Sequence, residues 1–181
     1  MKNLIPLLLV IILSSLYSAQ AQYSKKFDYQ NNFQLELGGH GLIYSINYER
    51  ILINSELLKT TGQIGIAYYP PFIGFRDVWI PIGINEILSI NNHHIEAGVG
   101  MVIIREASRD SGNTAIDWFW DGFLSARIGY RYQKPDGRFL FRAGFTPIIE
   151  TNIFSKLPRE LSGKFLSEVH PLAAVSIGYN F

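Results

Sequence analysis

No cysteine occurs among the 181 residues. Disulfide stapling, thiolate nucleophiles and cysteine-built metal sites are therefore excluded, as is a lipid carried on an N-terminal cysteine. Excess charge is lacking too, with 16 Lys+Arg against 15 Asp+Glu. Without a basic surplus to neutralise phosphates, nucleic acid is not an expected partner. Beyond the first two dozen residues no apolar run approaches the roughly 18 residues of a membrane-spanning helix. Histidine is scarce (His40, His93, His94 and His170). The adjacent pair His93-His94 would point to opposite faces of a strand, with His93 read as part of a turn, and no carboxylate–histidine cluster stands at ligand spacing. No metal or other cofactor is expected.

What is present begins with MKNLIPLLLVIILSSLYSAQAQ: one positive charge at Lys2, an apolar run from Leu4 to Leu13, then Ala19 and Ala21. This is the order of a secretory signal peptide, with cleavage expected before Gln22. The run is too short for a spanning anchor, which needs roughly 20 residues. The chain therefore divides into a signal at 1–21 and one domain at 22–181. Removing Lys2 leaves 15 bases against 15 acids.

The domain alternates with period two, the signature of strands with unlike faces. Phe33, Leu35 and Leu37 oppose Gln34, Glu36 and Gly38; Tyr44, Ile46 and Tyr48 oppose Ser45, Asn47 and Glu49. The same holds around Ile64–Tyr68, Val78–Asn85, His94–Met101, Leu124–Tyr132, Phe139–Thr146 and Ala174–Phe181. About eight strands follow. Links on one side are short or moderate (INSELLK, SINNH, QKPDGR). On the other they are glycine-rich around Gly39–Gly41 or longer: YPPFIGFR, Arg105–Asp121 and Ile148–Pro171. Residues 22–32 read as a polar leader.

The two faces differ in kind. One is aliphatic and aromatic on every strand; the other holds Gly38, Gly65, Gly83, Gly98, Gly100, Gly129, Gly144 and Gly178 among polar residues. Interior glycines suit an eight-stranded barrel, whose side chains just fill its middle. The aromatics fall at two levels, with Phe33, Tyr48, Tyr132, Phe139 and Phe181 near one rim and Tyr44, Tyr68 and Phe145 near the other. Two aromatic girdles around an aliphatic middle is a membrane-interface pattern. The expected fold is an all-β, eight-stranded antiparallel up-and-down transmembrane β-barrel.

The final alternation, AAVSIGYNF, puts Val175, Ile177, Tyr179 and Phe181 on one parity. Here the chain resembles the small outer-membrane β-barrels of Gram-negative bacteria of the OmpX/OmpA type. That resemblance implies residence in the cell outer membrane among outer-membrane lipids. It also implies an assembly signal at Tyr179 and Phe181 read by the barrel-assembly machinery. The glycine favoured in that signal falls at Ser176, whereas this chain has Gly178. The likeness is one of architecture and carries over no catalytic residues.

On the inward parity stand Glu36, Glu49, Glu96, Arg127, Arg131 and Arg142. Isolated charges there would be costly, so an interior ion-pair network is expected, acting as a plug rather than as an ion path. None of the four histidines is followed by x-Ser, and Ser108, Ser111, Ser155, Ser162 and Ser167 lack an evident base. Enzymatic activity is not expected. Trp118, Phe119 and Trp120 are read as loop aromatics at the outer rim, anchoring in the interface or binding a partner. The link beyond Ile148 is given helical character near Pro158–Val169. The expected function is a non-enzymatic, filled outer-membrane barrel acting structurally or through its loops, by adhesion or binding of an extracellular partner. The alternatives are a membrane-embedded lipid-modifying enzyme or minor pore, and a secreted soluble lipid-binding barrel.

Overall fold

The computed structural model describes residues 25–70, 78–109, 115–150 and 169–181. The signal reading at 1–21, and all but the last residue of the expected helix, lie outside the described residues. The strands are β1 (Asn31–Gly38), β2 (Tyr44–Asn54), β3 (Leu58–Tyr68), β4 (Val78–Ile90), β5 (His93–Arg109), β6 (Ala115–Gln133), β7 (Phe139–Phe145), β8 (Ile148–Glu150) and β9 (Ala173–Asn180). All pairings are antiparallel. Neighbours pair in sequence from β1 to β7, β7 pairs with β9, and β9 returns to β1.

Both β7 and β8 lie along β6, the first against Ile128–Gln133 and the second against Phe123–Ser125. They are one barrel strand interrupted at Thr146-Pro147, where proline cannot donate to the ladder. The sheet therefore closes as an eight-stranded antiparallel barrel.

Parity decides which way each side chain faces. In β1 the buried residues are Asn32, Gln34 and Glu36, while Phe33, Leu35 and Leu37 are exposed. The same polarity runs through Ser45, Asn47 and Glu49 against Ile46, through Gln63 against Ile64 and Ile66, and through Ser176 and Asn180 against Val175, Ile177 and Tyr179. Polar groups are inside and apolar groups outside. On the exterior, Tyr48, Phe33, Tyr179 and Phe139 form one row across four adjacent strands. Phe181 stacks on Phe33 at 5.4 Å between centroids, and its N–H and carbonyl pair with those of Asn31.

The end carrying Phe181 has the short connections Ser55–Leu57, Asn91-Asn92 and Lys134–Arg138. In the last, the Gly137 N–H donates to the Lys134 carbonyl at 3.0 Å. At the opposite end β1 leaves through a 3-10 turn, Gly39–Gly41, that folds inward. Gly38 (φ 75°) and Gly39 (φ 62°) occupy the left-handed region that glycine adopts without steric cost.

Several expectations are corrected. Within Arg105–Asp121, read as a loop, Arg105–Arg109 and Ala115–Asp121 are strand: β5 and β6 stay paired from Arg105↔Trp120 to Arg109↔Ala115. Trp118, Phe119 and Trp120 are therefore strand residues, opposite Ala107, Glu106 and Arg105. The polar composition of that stretch hid the strands, because a ladder held by backbone bonds does not require apolar alternation. His93 is the first residue of β5 rather than part of the turn. Residues 22–32 are not simply a polar leader, since Phe27 is buried and Asn31-Asn32 belong to β1.

Inward space is the tightest steric constraint. Gly129 and Gly144 face one another across β6 and β7. A Cβ at Gly144 would lie 2.7 Å from the Ile128 carbonyl oxygen and 2.9 Å from the Gly129 Cα. Gly144→Val should therefore destabilise the barrel by about 1–3 kcal/mol through overpacking, read as a lower urea midpoint. Gly62→Ala, whose added methyl meets only the flexible Leu52 side chain at 3.3 Å, should stay near wild type. Equal losses in the two variants would show that interior crowding is not the constraint.

Candidate functional site

The interior is stacked in three layers. At the end bearing Phe181, Phe27, Ile51 and Ile87 form an apolar cap. The Phe27 backbone is tied to Asn54 by a donated and an accepted bond of 3.1 and 2.8 Å, and its ring meets His94 edge-on at 5.1 Å. Lys59 Nζ sits 4.7 Å from the centre of that ring and donates to Ser89 Oγ at 2.7 Å and the Glu56 carbonyl at 2.8 Å. At the other end Ala67, Tyr69, Trp79, Val102, Ile104, Phe123 and Ile148 close the barrel. The rings of Trp79 and Phe123 lie 6.2 Å apart there.

Between the caps lies the charged layer. Glu36 comes from β1, Glu49 from β2, Glu96 from β5, Arg127 and Arg131 from β6, and Arg142 from β7. Arg131 and Arg142 are direct partners across two strands, an arrangement of like charges that is unfavourable unless anions separate them. The carboxylates supply that separation. Glu49 lies 2.7 Å from Arg131 and 3.3 Å from Arg142. Glu96 lies 3.4 Å from Arg131 and 2.9 Å from Arg142. Glu36 reaches Arg142 at 3.2 Å and makes a close ion pair with Arg127.

Arg142 thus touches all three carboxylates and also donates to Gln63 Oε1 at 3.1 Å. All six charged side chains are buried. Three anions and three cations make the layer formally neutral, the condition under which buried charge is tolerable.

Sequence parity alone did not identify four further members. His40, on the inward turn, places Nδ1 3.0 Å from the Arg127 guanidinium and 3.7 Å from Glu36. Burial, with Arg127 beside it, lowers the His40 imidazole to about 4, so it is neutral at pH 7. Gln133 accepts from Arg131 at 2.6 and 3.0 Å. Lys59 and Phe27 complete the lower cap. For His40 the available signal was its position in a Gly-Gly-His-Gly turn able to fold inward; the isolated Phe27 carried none.

Of the remaining predicted residues, Tyr179 and Phe181 lie together on the exterior, where Tyr179 Oη accepts from Arg138 at 3.0 Å. Trp118 and Trp120 are exterior and half-exposed, far in the fold from the charged layer. Among the described residues no three histidine or carboxylate side chains gather into a group suited to a metal. No protein-family model matches the chain, and no curated protein matches it in sequence.

The arrangement braces the barrel from within: each cation is paired with at least one carboxylate from a strand that is not its neighbour. Arg142→Ala should cost about 3–5 kcal/mol, because it leaves buried carboxylates short of a partner. Adding Glu96→Gln should recover part of that loss by restoring neutrality. Urea unfolding of the folded barrel measures both. A single variant with an unchanged midpoint would remove the network from the stability of the fold.

Proposed function

We propose that the chain is an outer-membrane β-barrel of the small eight-stranded type, exported through a cleaved signal peptide. It acts without catalysis, as a structural element or through the surfaces at its long-loop end. The observation that carries this reading is the inverted polarity of the barrel. Exterior residues such as Leu35, Ile46, Ile64, Ile84, Val99, Ile128 and Ile177 are each more than 40% exposed, whereas the interior holds the Arg–Glu layer. Water is a poor solvent for such an exterior, since monomeric soluble proteins rarely expose large continuous apolar patches. A lipid bilayer is a good one, and a closed barrel satisfies its own backbone there.

The same polarity argues against a secreted lipid-binding barrel, which needs an apolar cavity; here the middle is occupied by guanidinium and carboxylate groups. A pore is disfavoured by filling. The void between His40, Gln63, Asn85 and Arg127 measures about 10 Å³, space for roughly one water molecule.

In this orientation the end carrying Phe27 and Phe181 faces the periplasm, and the row Tyr48–Phe33–Tyr179–Phe139 lies in the lower interface. Tyr179 and Phe181 are assigned as the signal for the barrel-assembly machinery. Deleting Phe181 removes the stack on Phe33 as well as the closing aromatic. It should lower the amount of protein reaching the outer membrane in heat-modifiable form; normal levels in that fraction would refute the signal. In planar bilayers the wild-type protein should show no stable single-channel conductance. Steady conductance, altered by Trp79→Ala or Arg127→Ala, would make the protein a pore and overturn the filled-barrel reading.

A further inference from the structure

The exterior carries one cation whose surroundings are unlike those of the interior arginines. Arg105 lies on β5 with the outward parity of Val99, Met101 and Ile103, at the level where it pairs with Val78 and Trp120. Its guanidinium carbon sits 3.9 Å from the centre of the Trp118 ring and 5.9 Å from that of Trp120. Both indoles are solvent-exposed on the same face. Among the side chains the structure describes, no carboxylate lies within ion-pair distance of Arg105. Tyr68, Val78, Arg105 and Trp120 form one row across four strands, and the aliphatic exterior continues directly below it through Ile103, Met101 and Leu124.

We propose that Arg105, held between Trp118 and Trp120, is a binding site for the phosphate of an anionic lipid. The proposal rests on the membrane reading above and names a lipid class for it. The guanidinium is planar and weakly hydrated, stacks on aromatic faces, and still offers its edge to a phosphate in two parallel hydrogen bonds. The indoles fix the side chain, so little rotamer freedom is lost on binding. A free anion would meet the charge but leave the indoles and the aliphatic face uncovered. A lipid covers all three at once, its phosphate on Arg105, its glycerol region on the indoles and its chains on Met101, Ile103 and Leu124. Interfacial tryptophan and arginine at the edge of an apolar belt are suited to this depth.

The tryptophans provide the readout. The chain has three, and Trp79 is buried in the interior, so quenching by bromine atoms in the bilayer reports Trp118 and Trp120. The full chain would be folded into phosphatidylcholine vesicles containing brominated phosphatidylglycerol or, in parallel, the same fraction of brominated phosphatidylcholine. Wild type should associate with the anionic lipid about fivefold more strongly, the magnitude expected for one cation at a membrane surface. Rising salt should reduce that preference. Arg105→Gln should abolish it while leaving quenching by both lipids, and Arg105→Lys should keep part of it.

Equal quenching by the two lipids in wild type overturns the site. So does a preference unchanged in Arg105→Gln, or one erased by inorganic phosphate but not by sodium chloride at the same ionic strength, which would make the site one for free anions. Protease-protected insertion without any quenching places the tryptophans away from lipid and also overturns it, leaving the membrane reading standing. Failure of the chain to associate with vesicles of either composition overturns the membrane reading and the site with it.

Discussion

A neutral layer of three guanidinium and three carboxylate groups, buried across the middle of the barrel, is the constraint on which the rest of the structure depends. Each charge is costly to bury alone and tolerable only when paired. The carboxylates arrive on β1, β2 and β5 and the guanidiniums on β6 and β7, so pairing requires five strands to be in register together. A slip of one residue in any of them would turn its charge outward and its aliphatic neighbours inward. The ion pairs therefore specify the register as well as stabilising it.

Space follows from the same layer. Arginine and glutamate side chains crossing an eight-stranded interior need neighbours without bulk, and Gly129 and Gly144 face each other beside Arg131 and Arg142. Above and below, apolar caps isolate the charges. Phe27 lies under Lys59 and His94, and Trp79 with Phe123 closes the far end. The caps raise the strength of the ion pairs by keeping the layer poor in water, and the same exclusion makes a missing partner expensive.

A polar interior leaves the apolar residues no place except the exterior. On the membrane reading this inversion is the functional design, because the solvent outside is lipid. The two ends then meet different chemistry. Short turns and the Phe33–Tyr179 row mark one interface, while the prolonged β5–β6 hairpin with Arg105, Trp118 and Trp120 rises from the other.

By itself the sequence determined the number of barrel strands, their alternation and the six charged residues of the interior layer. A period of two assigns every residue of a strand to one of two faces, and closure makes one face the interior. Glu36, Glu49, Glu96, Arg127, Arg131 and Arg142 were legible for that reason. Which carboxylate meets which guanidinium was not, since it depends on strand order and stagger around the barrel. Nor were His40, brought in by a turn, Phe27, tucked under the barrel from an irregular segment, or the paired segments Arg105–Arg109 and Ala115–Asp121, whose backbone ladder leaves no hydrophobic pattern. These were decided by the tertiary structure, because contacts made through turns, caps and backbone bonds carry no fixed period along the chain.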